Sequence, residues 1–131
     1  MLAGKEKLHN LIAIIDRNNI QIDGNTEDIM PLEPFVNKYI TFGWHVIEID
    51  GHNIAEIAAA FDAAKGIFEK PTCIMAHTIP GKGIKEFEYD YRWHGNPPGL
   101  GPEDKISKAQ QGAVALAELR TLGKKIRGEH Q

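Results

Sequence analysis

The residues best suited to chemistry follow a run of branched apolar side chains near the N-terminus. The segment Asn10–Asp16, NLIAIID, continues as RNNI, so Ile20 stands two positions after Asn18. The side-chain oxygen of Asn18 and the backbone carbonyl of Ile20 can face one point, and magnesium prefers oxygen ligands. Two neutral oxygens cannot hold the ion alone, so a carboxylate and a diphosphate would have to complete its shell. The alternative is an ordinary turn, because asparagine tolerates left-handed backbone and hydrogen-bonds its own chain.

A second candidate is His94, within the sequence RWHGNPPG. A histidine that is neutral near physiological pH both donates and accepts hydrogen bonds, which suits sugar hydroxyls or a diphosphate oxygen. The alternative is a loop histidine packed on Trp93.

His77, at the end of an apolar run, is ambiguous, and the other histidines show no spacing that predicts a metal cluster. Cys73 lies in the middle of that run and is predicted to be a core residue rather than a nucleophile.

The elements that position these residues alternate between strands and helices. Continuous apolar runs predict strands, and apolar residues at helical spacing predict helices between them. Asn53 with Glu56 three positions later resembles a capping box at a helix start. The order strand, loop, helix, strand, helix, strand predicts an α/β fold, with a parallel sheet and crossover helices. The predicted strands are Asn10–Asp16, Trp44–Asp50 and Thr72–Thr78, and the predicted helices begin near Pro31 and near Asn53.

The chain is predicted to be one partial domain, residues 1–131. Residues 9–78 form the α/β core, residues 79–101 form a glycine- and proline-rich loop of the kind that carries function, and residues 102–126 form a C-terminal helix. The first strand begins almost at the N-terminus with no helix of its own before it. The chain therefore reads as the second half of an α/β domain whose first half is absent. We expect partial exposure of the apolar strand residues Leu11, Ile12, Ile14 and Ile15.

Composition disfavours several classes of protein. The 131 residues carry 15 basic and 18 acidic side chains, a net charge of −3, which gives no support for a nucleic-acid partner or an anionic membrane surface. No apolar run approaches the roughly 18 residues of a membrane-spanning helix, and the N-terminus does not resemble a secretory signal. The single cysteine suits a reducing compartment, so the sequence predicts a cytoplasmic protein with no membrane partner.

Four segments, in order along the chain, resemble transketolase: DRNNIQIDG, FGWHVIEIDGHN, AHTIPGKG and WHGNPPG. The resemblance is closest to the N-terminal subunit of split transketolases, the diphosphate-binding domain of thiamine-diphosphate enzymes, and the chain is similar to the C-terminal half of that domain. The fold implied is the parallel-sheet, diphosphate-binding fold of that family. Each segment alone is weak evidence for the family, whereas four matching segments in the same order are highly specific for it.

The resemblance also implies roles for individual residues. Asn18 and Ile20 match two of the three protein oxygens that hold the magnesium ion, and Ile22 matches a position near the thiazolium ring. His94 matches a histidine that touches both the cofactor and the ketose substrate. Asn19 stands where the commoner pattern has glycine, and a left-handed asparagine accommodates that difference. The third metal ligand, the aspartate of an upstream Gly-Asp-Gly, occurs nowhere in this sequence, so Met1 is interpreted as an internal methionine.

The activity implied by the resemblance is transfer of a two-carbon ketol unit from a ketose to an aldose, as in the pentose phosphate pathway. The implied cofactors are thiamine diphosphate and Mg²⁺ or another divalent cation. The implied partners are sugar phosphates and a C-terminal transketolase subunit that carries the pyrimidine-binding domain, within an oligomer. We expect the isolated chain to be inactive.

Two other hypotheses stay open at this point. The chain could be a catalytically inactive truncated fragment or an assembly partner, because it lacks the Gly-Asp-Gly metal aspartate. It could also be a free-standing α/β domain that binds another phosphate ligand, which the ordered match of four segments disfavours.

Overall fold

The computed structural model describes residues 1–119, which fall into two compact units. Unit 1 comprises residues 1–18 and 32–78, and unit 2 comprises residues 19–31 and the chain from Ile79 onward. Unit 1 contains α1 Leu2–Lys5, β1 Ile12–Arg17, α3 Phe35–Thr41, β4 His45–Asp50, α4 Ile54–Lys65 and β5 Thr72–His77. Unit 2 contains β2 Ile20–Gln21, β3 Gly24–Asn25, α2 Thr26–Ile29, a 3₁₀ turn Tyr91–Trp93 and α5 Lys108–Leu119.

Unit 1 is built on a three-stranded parallel sheet in the order β1-β5-β4. The central strand is β5, in which Ile74 pairs with Ile14 on one side and with Ile47 on the other. All residues of β5 except His77 are buried, as expected for a parallel strand covered on both faces. The predicted α/β class with crossover helices is confirmed.

Both faces of β5 contribute to the core. Ile74 and Ala76 form a buried cluster with Ile49 of β4 and Ala60 of α4. Cys73 and Met75 alternate to the opposite face and are also buried. Burial raises the pKa of the Cys73 thiol to about 11, so the sulfur stays protonated and packs as a small apolar group. The prediction that Cys73 belongs to the core is confirmed.

Strand β1 is less well covered than β5. Ile14 is 58% exposed and Leu11 is 38% exposed, whereas Ile12 and Ile15 are half-buried. The expected partial exposure of these apolar residues is confirmed.

No helix among residues 1–119 is both long and apolar enough to cross a membrane.

The last helix of the described chain differs from the one predicted. Residues 102–107 form bends and irregular backbone, and α5 begins only at Lys108. The carbonyls of Pro102 and Ile106 accept hydrogen bonds from the Gln111 side chain, so these backbone groups are satisfied without a helix. The buried residues of α5 are Gln111 and Ala115, whereas Leu116 is 53% exposed. Residues 120–126 of the predicted helix lie outside the described residues.

The start of α4 is fixed by its capping residues. The side-chain oxygen of Asn53 accepts hydrogen bonds from the backbone amides of Ala55 at 3.0 Å and Glu56 at 3.3 Å. The Glu56 carboxylate in turn accepts from the side chain of Asn53 at 2.9 Å and from the backbone amide of Asp50, at the end of β4, at 2.8 Å. The predicted cap at Asn53 is confirmed, and Glu56 also ties the helix to the strand before it.

We expect Asn53→Ala to lower the free energy of unfolding by about 1 kcal/mol, because two amides of the first helical turn lose their acceptor. Urea unfolding followed by circular dichroism measures the change. Asn37→Ala is the matched control, since Asn37 is exposed on α3. Equal unfolding free energies for the two variants would contradict this account of the cap.

Candidate functional site

Asn18 directly follows β1, at the edge of the sheet where the carboxyl ends of the parallel strands meet. Ligands of α/β proteins bind beyond this edge. The Asn18 side-chain nitrogen donates to Asp16 Oδ2 at 3.1 Å, and Asp16 Oδ1 accepts from the Thr78 hydroxyl. The nitrogen of the Asn18 side chain is turned toward Asp16, and its amide oxygen is of the kind that suits a hard cation. His77, at the same edge, pairs with Glu48 at 2.9 Å, so its side chain has a structural partner.

The residue before Asn18 is held by an ion pair that sequence reasoning missed. Arg17 is only 6% exposed, and its guanidinium donates to Glu33 Oε1 at 2.9 Å and lies 5.7 Å from the centre of the Phe35 ring. Two hydrogen bonds lower the pKa of Glu33, the larger effect coming from the Phe35 backbone amide and the smaller from Arg17. The carboxylate therefore stays ionised at neutral pH, and the end of β1 is anchored within unit 1.

Ile20 and Ile22 belong to a small hairpin in unit 2. Asn19 has φ 63°, the left-handed conformation expected where the family pattern has glycine. Its carbonyl accepts from the Thr26 amide at 3.0 Å, and Ile20 pairs with Asn25 across the antiparallel strands β2 and β3. Ile22 is 70% exposed at the turn. The hairpin thus presents an apolar side chain to its surroundings, beside the backbone carbonyl of Ile20.

Unit 2 contains a cavity of about 250 Å³ that Ile20 and His94 both line. The structure therefore brings together two residues that the sequence analysis selected in separate segments of the chain. Part of the lining is polar and comes from the segment around His94, including Asp90 and Asn96. The other lining residues are Pro80, Gly81, Phe87, Trp93 and Gly95.

The wall beside His94 is built by aromatic packing. The Trp93 ring stacks on Phe87, with 3.9 Å between ring centres. The ring also lies close to Gly101, where an added Cβ would lie 2.1 Å from a ring carbon. Gly101 is therefore required by the close approach of the indole, a requirement that has no signal in the sequence. Trp93 therefore has packing partners in Phe87 and Gly101.

A network of charges fixes the 3₁₀ turn that ends at Trp93. The carboxylate of Asp90 accepts from the Arg92 backbone amide at 3.0 Å and from the Arg92 guanidinium at 2.6 to 3.2 Å. Arg92 also donates to Asp104 at 2.9 Å. The hydrogen bond from the Arg92 side chain is the main reason that the pKa of Asp90 is lowered, although partial burial opposes it. Sequence reasoning missed this turn. The signal that could have revealed it is an aspartate two positions before an arginine, directly ahead of WHG.

The cation-binding capacity of these residues is limited. Among residues 1–119, no three His, Cys, Asp or Glu side chains come together as a metal site. Asn18 and Ile20 supply only neutral oxygens, and Asp90 is committed to Arg92. A divalent ion held by either oxygen would need further oxygen ligands.

We expect the stabilising effect of the Asp90 carboxylate to disappear in acid. Its folded-state pKa lies below the unfolded value of about 3.9, so the stabilisation is present above that value and is lost as the pH falls through the folded pKa. The difference in urea midpoint between the wild type and Asp90→Asn should be largest near about pH 7 and shrink toward about pH 3.

The control for this measurement is Asp62→Asn, which removes an exposed ion pair with Lys65. Exposed pairs contribute little to stability, so this variant should unfold nearly as the wild type does. A difference between Asp90→Asn and the wild type that does not change with pH would refute the role of the ionised carboxylate.

Comparisons with known proteins agree with this geometry. The profile of a family described as "Transketolase, thiamine diphosphate binding domain" matches residues 1–115. An apulose-4-phosphate transketolase subunit from Phocaeicola vulgatus is 39% identical over 124 residues, which are 95% of this chain and 44% of that protein. The 6-deoxy-6-sulfo-D-fructose transketolase subunit SqwG from a Clostridium species (strain MSTE9) is 52% identical over 83 residues, 63% of this chain and 30% of that protein.

A solved transketolase structure from Campylobacter jejuni superimposes with a TM-score of 0.64 at 30% sequence identity. The match covers 89% of this chain and 20% of that one. The chain thus spans less than half the length of each of these relatives. The resemblance inferred from four short segments is confirmed: the chain belongs to the transketolase family and corresponds to its thiamine-diphosphate-binding domain, as found in split transketolase subunits.

Proposed function

We propose that this chain contributes metal, thiamine diphosphate and sugar-phosphate contacts to a transketolase that transfers a two-carbon ketol unit from a ketose to an aldose. The observation that carries the proposal is the cavity in unit 2 lined by both Ile20 and His94. Membership in the family implies thiamine diphosphate as the cofactor. Ile20 and His94, which are both expected to contact it, line the same cavity. The reaction is of the kind used in the pentose phosphate pathway, and the single buried cysteine suits the cytoplasm.

The chemistry of the cavity fits a diphosphate that arrives with a divalent cation. Among the described residues that line it, Asp90 carries the one formal charge, and its carboxylate stays ionised and paired with Arg92. Because Arg92 is shared between Asp90 and Asp104, no described lining residue offers a cation to balance a bare diphosphate. A bound Mg²⁺, or another divalent ion, would supply that balance, and the oxygens of Asn18 and Ile20 have the hard character that the ion requires.

Each proposed site residue has a distinct task. The Asn18 side-chain oxygen and the Ile20 carbonyl would hold the cation, and Ile22 would offer an apolar surface to the thiazolium ring. Thiamine diphosphate, when bound, supplies the carbon nucleophile that carries the two-carbon unit between sugars. His94 would hydrogen-bond a diphosphate oxygen and a ketose hydroxyl, and so orient the sugar toward the cofactor.

The size of the cavity supports a site shared with a partner chain. About 250 Å³ is below the ~300–1,000 Å³ of complete small-molecule pockets, so the cavity accommodates only part of a ligand. The proposed partner is a C-terminal transketolase subunit that carries the pyrimidine-binding domain, within an oligomer. The names of two relatives as transketolase subunits support this arrangement.

The alternative function is that of an inactive fragment or assembly partner without the Gly-Asp-Gly aspartate. It is favoured by the neutral character of the two oxygens that the chain offers to a cation. The two functions differ in what happens when the partner and the cofactor are added.

We expect no ketol transfer by the isolated chain, and turnover once the partner chain is present. The assay contains thiamine diphosphate, Mg²⁺, a ketose phosphate and an aldose phosphate, and product formation is followed with and without the partner. Turnover by the chain alone would contradict the shared site. No turnover with the partner, together with no cofactor binding, would establish the alternative function.

We expect Asn18→Ala and His94→Gln to weaken thiamine diphosphate binding by the assembled protein, each roughly tenfold to a hundredfold, since each removes a polar contact to a charged group. Calorimetric titration at fixed Mg²⁺ measures the dissociation constant. The two variants differ in that raising the Mg²⁺ concentration should partly restore binding only in Asn18→Ala.

The matched controls are Asn37→Ala on the exposed face of α3 and His9→Gln before β1. Neither residue lines the cavity, so both variants should bind the cofactor as the wild type does. Unchanged affinity in His94→Gln would remove His94 from the proposed site, and unchanged affinity in Asn18→Ala would remove Asn18.

A further inference from the structure

The side chain of Gln111 is fully buried in α5, although glutamine is usually exposed. Its Oε1 accepts a hydrogen bond from the Gly99 backbone amide at 2.8 Å. Its Nε2 donates to the carbonyls of Pro102 at 2.7 Å and Ile106 at 3.2 Å. One amide side chain therefore satisfies a donor and two acceptors of a segment that has no regular secondary structure.

These three contacts fasten the C-terminal end of the loop that carries His94. Gly99 is the last residue of RWHGNPPG and has φ 96°, a conformation that glycine adopts without strain. Pro102 and Ile106 belong to the irregular segment that leads from this loop into α5. Gln111 thus connects the loop to a regular helix at a point where the backbone has no ladder of its own.

The N-terminal end of the same loop is fastened by other contacts. The Trp93 ring stacks on Phe87 and lies close to Gly101, and the Asn96 side chain donates to the Arg92 carbonyl at 2.7 Å. His94 lies between the two fastened ends and is exposed on the cavity wall. Its backbone amide donates to the Tyr91 carbonyl at 2.8 Å. The position of the imidazole therefore depends on both ends of the loop.

We infer that Gln111 is a positioning residue for His94. It acts by holding Gly99, Pro102 and Ile106 on α5, which sets the path of the loop across the cavity wall. The inference rests on the proposed function only for the consequence in catalysis, since the contacts themselves need no cofactor. Few other side chains fit this place, because it requires one acceptor and two donors in a dry environment.

Gln111→Glu tests the inference with a minimal change of shape. The carboxylate keeps an acceptor for Gly99 but turns an oxygen toward two carbonyl oxygens, which repel it. The matched control is Gln110→Glu, the same chemical change one position earlier, where the side chain is exposed and accepts only from the Ser107 hydroxyl at 2.8 Å. Glutamate retains that acceptor, so the control should leave the loop unchanged.

The measurement is NMR of the full chain labelled with ¹³C and ¹⁵N, with the His94 ring signals assigned from their loss in His94→Gln. In Gln111→Glu near neutral pH, we expect the His94 and Trp93 ring signals to move or broaden. We expect hydrogen exchange at the Gly99 amide to accelerate roughly tenfold to a hundredfold, as when a buried hydrogen bond is lost. Amides of β5 should keep their protection.

Three outcomes decide the inference. If His94 signals and Gly99 exchange in Gln111→Glu match those in Gln110→Glu, the inference is overturned. If Gln111→Glu also loses the protection of β5, Gln111→Met, which keeps the side-chain length without a charge, replaces it in the same comparison. Loss of β5 protection in both variants overturns the inference, because Gln111 would then support the whole fold rather than the loop.

The catalytic consequence is measured separately in the complex with the partner subunit. Gln111→Glu should lower kcat/KM in the direction that His94→Gln does, whereas Gln110→Glu should not change it. If the wild-type complex shows no turnover, the proposed function fails, and the NMR comparison still decides the role of Gln111. If turnover is normal in Gln111→Glu while the His94 signals move, the catalytic consequence is refuted, whereas the positioning of His94 by Gln111 and the proposed function both stand.

Discussion

The parallel pairing of β5 with β1 and β4 is the constraint on which unit 1 depends. Ile74 and Met75 point to opposite faces of β5 and are both buried, so each face of the sheet requires an apolar cover. Burial of each such side chain stabilises the fold by roughly 1.5–3 kcal/mol. Because the three strands are parallel, their carboxyl ends lie at one edge, and Asn18 stands there as a consequence of the pairing. A one-residue slip of β1 would turn Asp16 and Arg17 to the wrong faces.

Unit 2 reaches a defined shape by different means. Its long connection from Ile79 has no ladder of backbone hydrogen bonds, so side chains satisfy the backbone groups that a sheet would otherwise pair. Asp90 and Gln111 both do this, the first by capping a 3₁₀ turn and the second by bridging a loop to a helix. Such contacts are local, and each depends on one side chain. The cavity wall that carries His94 is therefore more sensitive to single substitutions than the sheet is.

Sequence reasoning predicted the sheet well because apolar periodicity is a direct consequence of burial. The strands, the cap at Asn53 and the buried Cys73 all followed from such patterns. It failed at α5, where it began the helix at Pro102 rather than at Lys108 and did not select Gln111 as a core residue. The buried residues are instead Gln111 and Ala115, because an amide that satisfies three backbone groups can occupy a place that polarity alone would assign to the surface.

Sequence reasoning proposed residues for the candidate site but not the side chains that support them. Asn18, Ile20 and His94 were selected from their polar atoms and from the resemblance to transketolase, and their contacts with a metal or a sugar stay a prediction. Arg17 and Glu33, which anchor the end of β1, escaped notice since no periodicity links positions so far apart. Gly101 gave no signal in the sequence either, because its role is to leave room for the Trp93 ring by having no Cβ. Residues that touch ligands are constrained by chemistry shared across a family, whereas residues that support them are constrained by contacts particular to one chain. In this protein, the supporting residues decide whether the residues proposed to touch the ligands are correctly placed.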